Sequence, residues 1–292
     1  MFDTDLLLSD KNLPLAFCVM KTDLSIVVPA FDEQDRVGDS IRKILGFIES
    51  EKLDAELIVV DDGSGDNTAK IAEEACAETP GVQSKVIRYE QNRGKGFAIK
   101  TGLLAATADI ALFSDADLST PIDELSKLVD PIRTGEFDVT FGSRALDRSL
   151  IGRHQPRFRE SGGILFNMMV RILLGLDIED TQCGFKLFSA EAVETLFHRL
   201  TISGFAFDVE LLVMARQAGF DVQEVGIVWH GRADSRVAVS RGAAAFGDVL
   251  RVRWNALIGR YGPRTSRPPS PRGIRRSSSS SPSSTAAAPS PR

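Results

Sequence analysis

Continuous runs of β-branched and aliphatic residues alternate along most of the chain with stretches whose apolar positions recur every three or four residues. Leu24-Ser-Ile-Val-Val-Pro29 is an apolar run closed by proline, the pattern of a buried strand. From about Glu33 to Glu51, Val37, Ile41, Ile44, Leu45 and Ile48 share one helical face. Glu56-Leu-Ile-Val-Val-Asp61 is a second strand, and Asp66 is a suitable N-cap for a helix from Asn67 to about Glu78. The alternation continues with a strand over Val82–Tyr89 and a helix over Gly96–Ala106. A strand over Asp109–Ser114, a helix from Pro121 to Arg133 capped by Thr120, and a strand over Asp138–Gly142 follow. Strands that are apolar throughout and separated by helices predict an α/β fold, a mostly parallel, Rossmann-like sheet flanked by helices. Ligands of such sheets bind outside the carboxyl ends of the strands.

The second half is patterned differently. Ile164–Leu174 is apolar on nearly every side, interrupted only by Asn167 and Arg171, so it is either a buried helix or one that touches lipid or a partner. Arg144, Arg148, Arg153, Arg157 and Arg159 precede it. Cys183–Phe188 reads as a strand, and Ser189 caps a helix to about His198. Asp208–Gln217 reads as another helix, Val222–Trp229 as a last strand, and a helix runs from Ala243 to about Arg260. The chain thus ends its folded part in a helical C-terminal subregion. Three segments result: an extension over residues 1–22, one folded domain over 23–262, and a Pro/Ser/Arg-rich tail over 263–292. The tail's composition offers no core and predicts disorder. The patterned sequence begins after Met20, which is either the start of translation or preceded by an ordered extension.

Charge and cysteine content narrow the function. The formal net charge is −5, and the last thirty residues carry six Arg and no acid, so the folded part is near −11. That argues against a general nucleic-acid binder. The three cysteines, Cys18, Cys76 and Cys183, are far apart and lack metal-site spacing, which suggests reduced thiols in a cytosolic compartment. No run of eighteen apolar residues occurs, so a cytoplasmic protein is expected, with peripheral contact at the membrane face.

The candidate chemistry sits at the strand ends. In Ile110-Ala-Leu-Phe-Ser-Asp-Ala-Asp-Leu-Ser-Thr-Pro121, Asp115 and Asp117 are two apart, so both carboxylates can point to one side. Two such charges ~5 Å apart repel by ~3 kcal/mol at an effective dielectric of ~20. A divalent cation relieves that repulsion, and hard oxygen ligands suit Mg²⁺ or Mn²⁺ bridging to substrate phosphates. The plain alternative is a polar turn ahead of a helix. Two further acidic turns, Asp32-Glu33 and Asp61-Asp62, fall at strand ends on the same predicted edge and weigh against that alternative. Carboxylates there can accept hydrogen bonds from a base and from ribose, and Phe31 can cover a base. Arg93 and Lys95, ahead of a helix N-terminus, can neutralise a phosphate. Neither a dinucleotide fingerprint nor a Walker loop is present. His230 is either a third metal ligand or a polar residue at a strand end, and Cys183 is a small buried residue. Lys186 in a strand reads, on its own, as a surface lysine with a buried stem. Asp208 begins a helix, where acids are favoured in any case.

Val-Val-Pro-Ala-Phe-Asp-Glu, Val-Val-Asp-Asp-Gly-Ser, Asn-Arg-Gly-Lys-Gly and Ser-Asp-Ala-Asp-Leu-Ser, in that order, resemble the inverting nucleotide-sugar glycosyltransferases of the GT-A fold. Gly142-Ser-Arg144, Asp180-Thr-Gln-Cys-Gly-Phe-Lys-Leu-Phe188 and Phe205-Ala-Phe-Asp-Val-Glu-Leu211 are similar to dolichyl-phosphate β-glucosyltransferases and bacterial polyprenyl-phosphate relatives. The resemblance implies that Pro29, Phe31, Glu33, Val60 and Asp62 surround the nucleotide, and that Asp115, Ala116 and Asp117 hold the metal–diphosphate. It also implies that Arg144, Lys186 and Arg236 meet the phosphates of donor and acceptor, and that the helical C-terminal subregion serves the acceptor side. The activity so implied is metal-dependent transfer of a sugar, glucose from UDP-glucose, to a polyprenyl phosphate. Two alternatives stand beside it. One is a soluble hydroxyl acceptor with Asp208 as general base; the other is a catalytically silent scaffold that binds nucleotide sugar.

Overall fold

A computed structural model describes residues 22–153, 157–231, 239–261 and 274–277. The alternating first half forms β1 (Leu24–Ala30), α1 (Val37–Ser50), β2 (Ala55–Asp61), α2 (Thr68–Ala77), β3 (Gln83–Arg88), α3 (Lys95–Leu104) and β4 (Ile110–Ser114). Then come α4 (Leu125–Arg133), β5 (Val139–Ser143), β6 (Ile151–Arg153) and α5 (Arg157–Leu174). The chain continues through β7 (Phe185–Ser189), α6 (Ala190–Phe197), α7 (Phe207–Ala218), β8 (Val222–Gly226), β9 (Trp229–His230), α8 (Val239–Leu257) and β10 (Ile274–Ser277).

The main sheet has the order β10-β8-β5-β7-β4-β1-β2-β3, and β6 pairs with β9 in a separate ribbon. All pairs of the main sheet are parallel except those of β7, which runs antiparallel between β4 and β5. The α/β class expected from the alternation is the one observed. Because side chains alternate along a strand, each buried strand feeds two cores. Val27, Ile58 and Val60 pack on the side of α3, α6 and α7, whereas Ile26, Val28, Leu57 and Val59 pack on the side of α1, α2 and α4.

Several element ends differ from the pattern. α1 starts at Val37 because the Glu33 carbonyl accepts the Arg36 and Val37 N–H groups in a separate turn. Asp66 lies one residue outside the cap position of α2, although its carboxylate still accepts the Thr68 N–H at 2.9 Å. Thr120 caps nothing: a short 3₁₀ turn over Ile122–Glu124 precedes α4. The expected last strand breaks after Gly226, and Trp229–His230 turns away to pair with β6. Inside the tail expected to be disordered, Ile274–Ser277 adds a parallel edge strand to β8. Composition missed this because the anchor is ionic: Arg276 meets Asp177, Glu179 and Glu224. The extension up to residue 21 and the rest of the tail lie outside the described residues.

Candidate active site

β1, β2 and β4 run parallel, so their carboxyl ends open onto one edge, where a cavity of about 590 Å³ lies. Backbone hydrogen bonds stitch its loops together. The Asp32 N–H donates to Ser64 Oγ at 2.9 Å, and Asp32 Oδ1 accepts the Gly65 N–H at 3.0 Å. The Glu33 N–H donates to Thr68 Oγ1 at 2.8 Å. These bonds join the β1 and β2 turns and hold Asp32 at φ 52°. Pro29, Phe31, Asp32, Glu33, Arg36 and Asp62 line this part of the cavity, and Glu33 forms an ion pair with Arg36.

Asp62 is buried, and its two oxygens accept the N–H groups of Arg93 and Gly94 at 2.8 and 2.9 Å. Burial pushes its pKa up, the two N–H donors only partly offsetting the effect. Asp62 therefore holds the 92–94 loop in place as well as facing the cavity. Its neighbour Asp61 turns the other way, to Ser64 and Arg88.

The floor is the β4 end. Asp115, Ala116 and Asp117 line the cavity together with Lys95, whose Nζ lies 2.6 Å from Asp115 Oδ1. Burial works against the Lys95 charge, but Asp115, Asp208 and Asp117 outweigh it and hold its pKa above the usual range. The repulsion expected between the two aspartates is thus already relieved on one of them by a lysine. Asp117 Oδ1 accepts the Ser119 N–H at 2.9 Å. Space for Asp115 depends on Gly184, the residue before β7. The Asp115 N–H donates to the Gly184 carbonyl at 3.1 Å, and a Cβ on Gly184 would overlap the carboxylate.

The donor set fits a hard divalent cation. Two carboxylates reach the cavity from one strand end, and Mg²⁺ or Mn²⁺ held by one or two carboxylates takes its other ligands from water and phosphate. Among the described residues no group of three His, Cys, Asp or Glu gathers as an all-protein metal site. His230 lies in β9, exposed, with its ring against Gly152.

Other expected site residues lie elsewhere. Val60 is fully buried, packed where a Cβ on Gly102 would meet it, and does not line the cavity. Lys186 is not a surface lysine. It sits in the central strand β7, fully buried, with Nζ donating to the carbonyls of Thr181 and Cys183 and to Asp208 Oδ1 at 2.7 Å. Asp208 is buried in that pair, and burial pushes its pKa up more than Lys186 pulls it down. Neither residue lines the cavity. Arg144 is half-buried and committed to Asp180, with Nε and Nη2 donating to the two oxygens at 2.6 and 2.8 Å. Burial of Asp180 is outweighed by that guanidinium, which holds the carboxyl below its usual range. Arg93 stacks its guanidinium over Phe97, 3.5 Å from the ring centre, and does not line the cavity. Cys183 is buried as expected, its thiol pushed up to about 12 by burial. Arg236 lies outside the described residues, as do the side chains of Arg148, Arg153, Arg157 and Arg159.

The cavity also takes in Asn92, Gly204, Phe205, Ala245 and Asp248, none of which was singled out as a ligand from the sequence. Phe205 opens a motif noted above, so a signal for it existed. Asp248 lies in a helix of mixed composition, and nothing marks it locally.

A mostly parallel sheet with an acidic pair at its central strand end is the arrangement of GT-A nucleotide-sugar transferases. The fold is that of glucosyl-3-phosphoglycerate synthase from Mycobacterium tuberculosis, solved with Mn²⁺, uridine-diphosphate-glucose and phosphoglyceric acid. That likeness has a TM-score of 0.57 at 22% identity and covers 84% of this chain and 82% of that one. The model of glycosyl transferase family 2 matches residues 25–197, and the chain belongs to that family of glycosyltransferases. Among its relatives is a dolichyl-phosphate β-glucosyltransferase of Dictyostelium discoideum, 32% identical over 247 residues, covering 81% of this chain and 75% of the relative. Another is the glycosyltransferase AglD of Haloferax volcanii, 33% identical over 251 residues. That match covers 85% of this chain, which spans 40% of AglD.

Proposed function

We propose that the protein transfers glucose from UDP-glucose to a polyprenyl, dolichyl-type phosphate, with Mg²⁺ or Mn²⁺ held at Asp115 and Asp117. The observation that carries this reading is the charge of the cavity. Six carboxylates (Asp32, Glu33, Asp62, Asp115, Asp117 and Asp248) line it against two bases, Arg36 and Lys95. A donor diphosphate entering alone would be repelled; a divalent cation would take the local set of Asp115, Asp117 and Lys95 from a net charge of −1 to +1 and so admit it. Bound there, the ion would offset the charge that develops on the departing nucleoside diphosphate. The cavity volume suits a small ligand of nucleotide-sugar size. Phe31 and Pro29 offer an apolar wall to the base, and Glu33 and Asp62 offer acceptors to its N–H and to ribose. Lys95, 2.6 Å from Asp115 on the cavity wall, would offer a positive charge to the diphosphate.

An oxygen of the acceptor phosphate attacks C1 of the sugar from the face opposite the diphosphate. The C1–O bond to the diphosphate breaks, and UDP leaves with the bonding pair. An α-linked donor then gives a β-linked product. A phosphate monoester, with a second pKa near ~6, is mostly dianionic at pH 7 and is already a nucleophile. The name of the Dictyostelium relative supports this acceptor. The setting of Asp208 supports it too. A hydroxyl acceptor needs a base at the cavity, and Asp208 is buried beside Lys186 and off the cavity wall.

The test is transfer from radiolabelled UDP-glucose to purified polyprenyl phosphate, with product partitioned between organic solvent and water. Asp115→Asn and Asp117→Asn should each abolish transfer at unchanged melting temperature. EDTA should do the same to the native protein, reversibly on adding Mn²⁺. Full transfer in EDTA would refute the metal reading, and exclusively water-soluble product would refute the acceptor.

A further inference from the structure

Apolar side chains on an exposed face carry a cost in water, so where they concentrate is informative. Among the described residues, the large hydrophobics recorded as exposed are Met168, Ile172, Phe246, Leu250, Trp254, Leu257 and Ile258. All belong to α5, to α8, or to the residue directly after α8. The two helices touch through Phe166 and Phe246, whose rings meet edge to face at 5.6 Å. On α8 the spacing is decisive. Phe246, Leu250, Trp254 and Leu257 follow one another at steps of four, four and three, a single stripe along the helix. The opposite face is accounted for, since Ala245, Val249 and Val252 are buried in the core. At 100° per residue, Arg253 falls on one flank of the exposed stripe and Arg251 on the other, and Arg260 is exposed in the turn that follows the helix. This is an apolar stripe carrying a tryptophan, bordered by arginines, on a chain of formal net charge −5.

We infer that this stripe of α8, with Met168 and Ile172 of α5, seats the protein on an anionic lipid bilayer. A helix of this kind lies in the interface plane, with its apolar residues among the acyl chains and its arginines at the headgroups. Among the described residues no helix is long and apolar enough to cross a membrane, so contact along one face is what these two helices offer. Position supports the same occupant. Ala245 and Asp248, on the same helix, line the cavity, so docking along α8 brings the mouth of the site to the bilayer. The face would thereby serve the lipid acceptor proposed above and rests on that reading for its purpose. The docking itself needs neither donor nor acceptor.

The test uses the full chain and co-sedimentation with vesicles of phosphatidylcholine alone or with 30% phosphatidylglycerol, without nucleotide sugar or polyprenyl phosphate. The wild type should bind the anionic vesicles and lose binding as salt rises, since the arginine contribution is screened. Leu250→Asp/Trp254→Asp should lower the partition coefficient at least about ten-fold, and Arg253→Glu/Arg260→Glu should lower it at low salt. Retained melting temperature and UDP affinity in both variants confirm that the fold is intact. If the aspartates disturb the fold, Trp254→Ser alone should still weaken binding. Wild type that ignores both kinds of vesicle, or variants that bind as wild type does, would overturn the inference. So would light scattering in which the wild type is a dimer that the Leu250→Asp/Trp254→Asp change dissociates, because the stripe would then cover a second copy. Vesicle binding without transfer to polyprenyl phosphate would refute the acceptor and leave the docking surface standing.

Discussion

Gly184→Ala is the most direct probe of how the acidic pair is held. A methyl group there would stand within 2.5 Å of all three carboxylate heavy atoms of Asp115. Non-bonded heavy atoms settle at about 3.5 Å, so methyl and carboxylate must part by about 1–1.5 Å. The backbone has little freedom to provide this, since the Asp115 N–H donates to the Gly184 carbonyl and Ser114 pairs with Phe185 in the sheet. The side chain must therefore turn, which breaks its 2.6 Å contact with Lys95. Overpacking of this kind costs about 1–3 kcal/mol, or about 2–4 °C of melting temperature per kcal/mol in a domain of this size. The larger effect should be on ligand geometry, because Mg²⁺ tolerates little departure from its ligand distances. Mn²⁺-dependent affinity for UDP, measured by calorimetry with and without metal, should fall at least about ten-fold, roughly 1.4 kcal/mol. Gly46→Ala is the control. It lies exposed in α1 with nothing near its absent Cβ, and should raise stability by up to about 1 kcal/mol without touching UDP affinity. Wild-type melting and wild-type UDP affinity in Gly184→Ala would refute the placement of Asp115.

Asp62→Ala should weaken UDP binding and also lower stability by about 2–4 kcal/mol in urea, because two N–H groups of the 92–94 loop lose a charged acceptor. An unchanged urea midpoint would show that the loop does not depend on it. Lys186→Met leaves the Asp208 carboxylate buried without its ammonium and should cost about 3–5 kcal/mol, and Lys186→Met/Asp208→Leu should recover much of that. A double variant no more stable than the single one would mean that the pair is not what matters. Asp180 carries a pH signature: its folded pKa lies below the ordinary 3.8, so the Arg144 pair stabilises above that value and is lost as pH falls through the depressed one. The stability gap between wild type and Asp180→Asn should stay level from neutrality to about pH 5 and narrow below 3.8; a gap that grows on acidification would contradict the pairing.

The strand–helix alternation and the acidic turns were legible because both are local. An apolar run of five or six residues followed by Asp or Glu states a buried strand and its polar end in one segment, and Asp62, Asp115 and Asp117 follow from that. Lys186, Arg144 and Asp208 were not legible in the same way. What each does depends on partners far along the chain or across the sheet: Lys186 on being in its central strand, Arg144 on Asp180, Asp208 on Lys186. Val60 shows the limit of period two, which places a side chain on one face of a strand without saying which face meets the ligand. The β10 strand escaped because four residues with one aliphatic side chain carry no pattern, and the acids that hold it lie about fifty to a hundred positions upstream.

The antiparallel strand at the centre of the sheet has a consequence for the order in which the protein can be made. β4 and β5 are synthesised first and do not pair with each other; the strand that joins them is not complete until Ser189. Until then the nascent chain carries one partial sheet, β4-β1-β2-β3, with a bare inner edge at β4, and a separate apolar strand β5 whose sheet partners are not yet made, which is the kind of edge that recruits other chains. Insertion of β7 covers the β4 edge and one edge of β5 in one event, and at the same moment buries Lys186 and sets Gly184 against Asp115. Ribosome-bound chains released shortly before residue 185 should therefore be the aggregation-prone ones, and the Asp115–Asp117 turn should acquire its final shape only when β7 arrives.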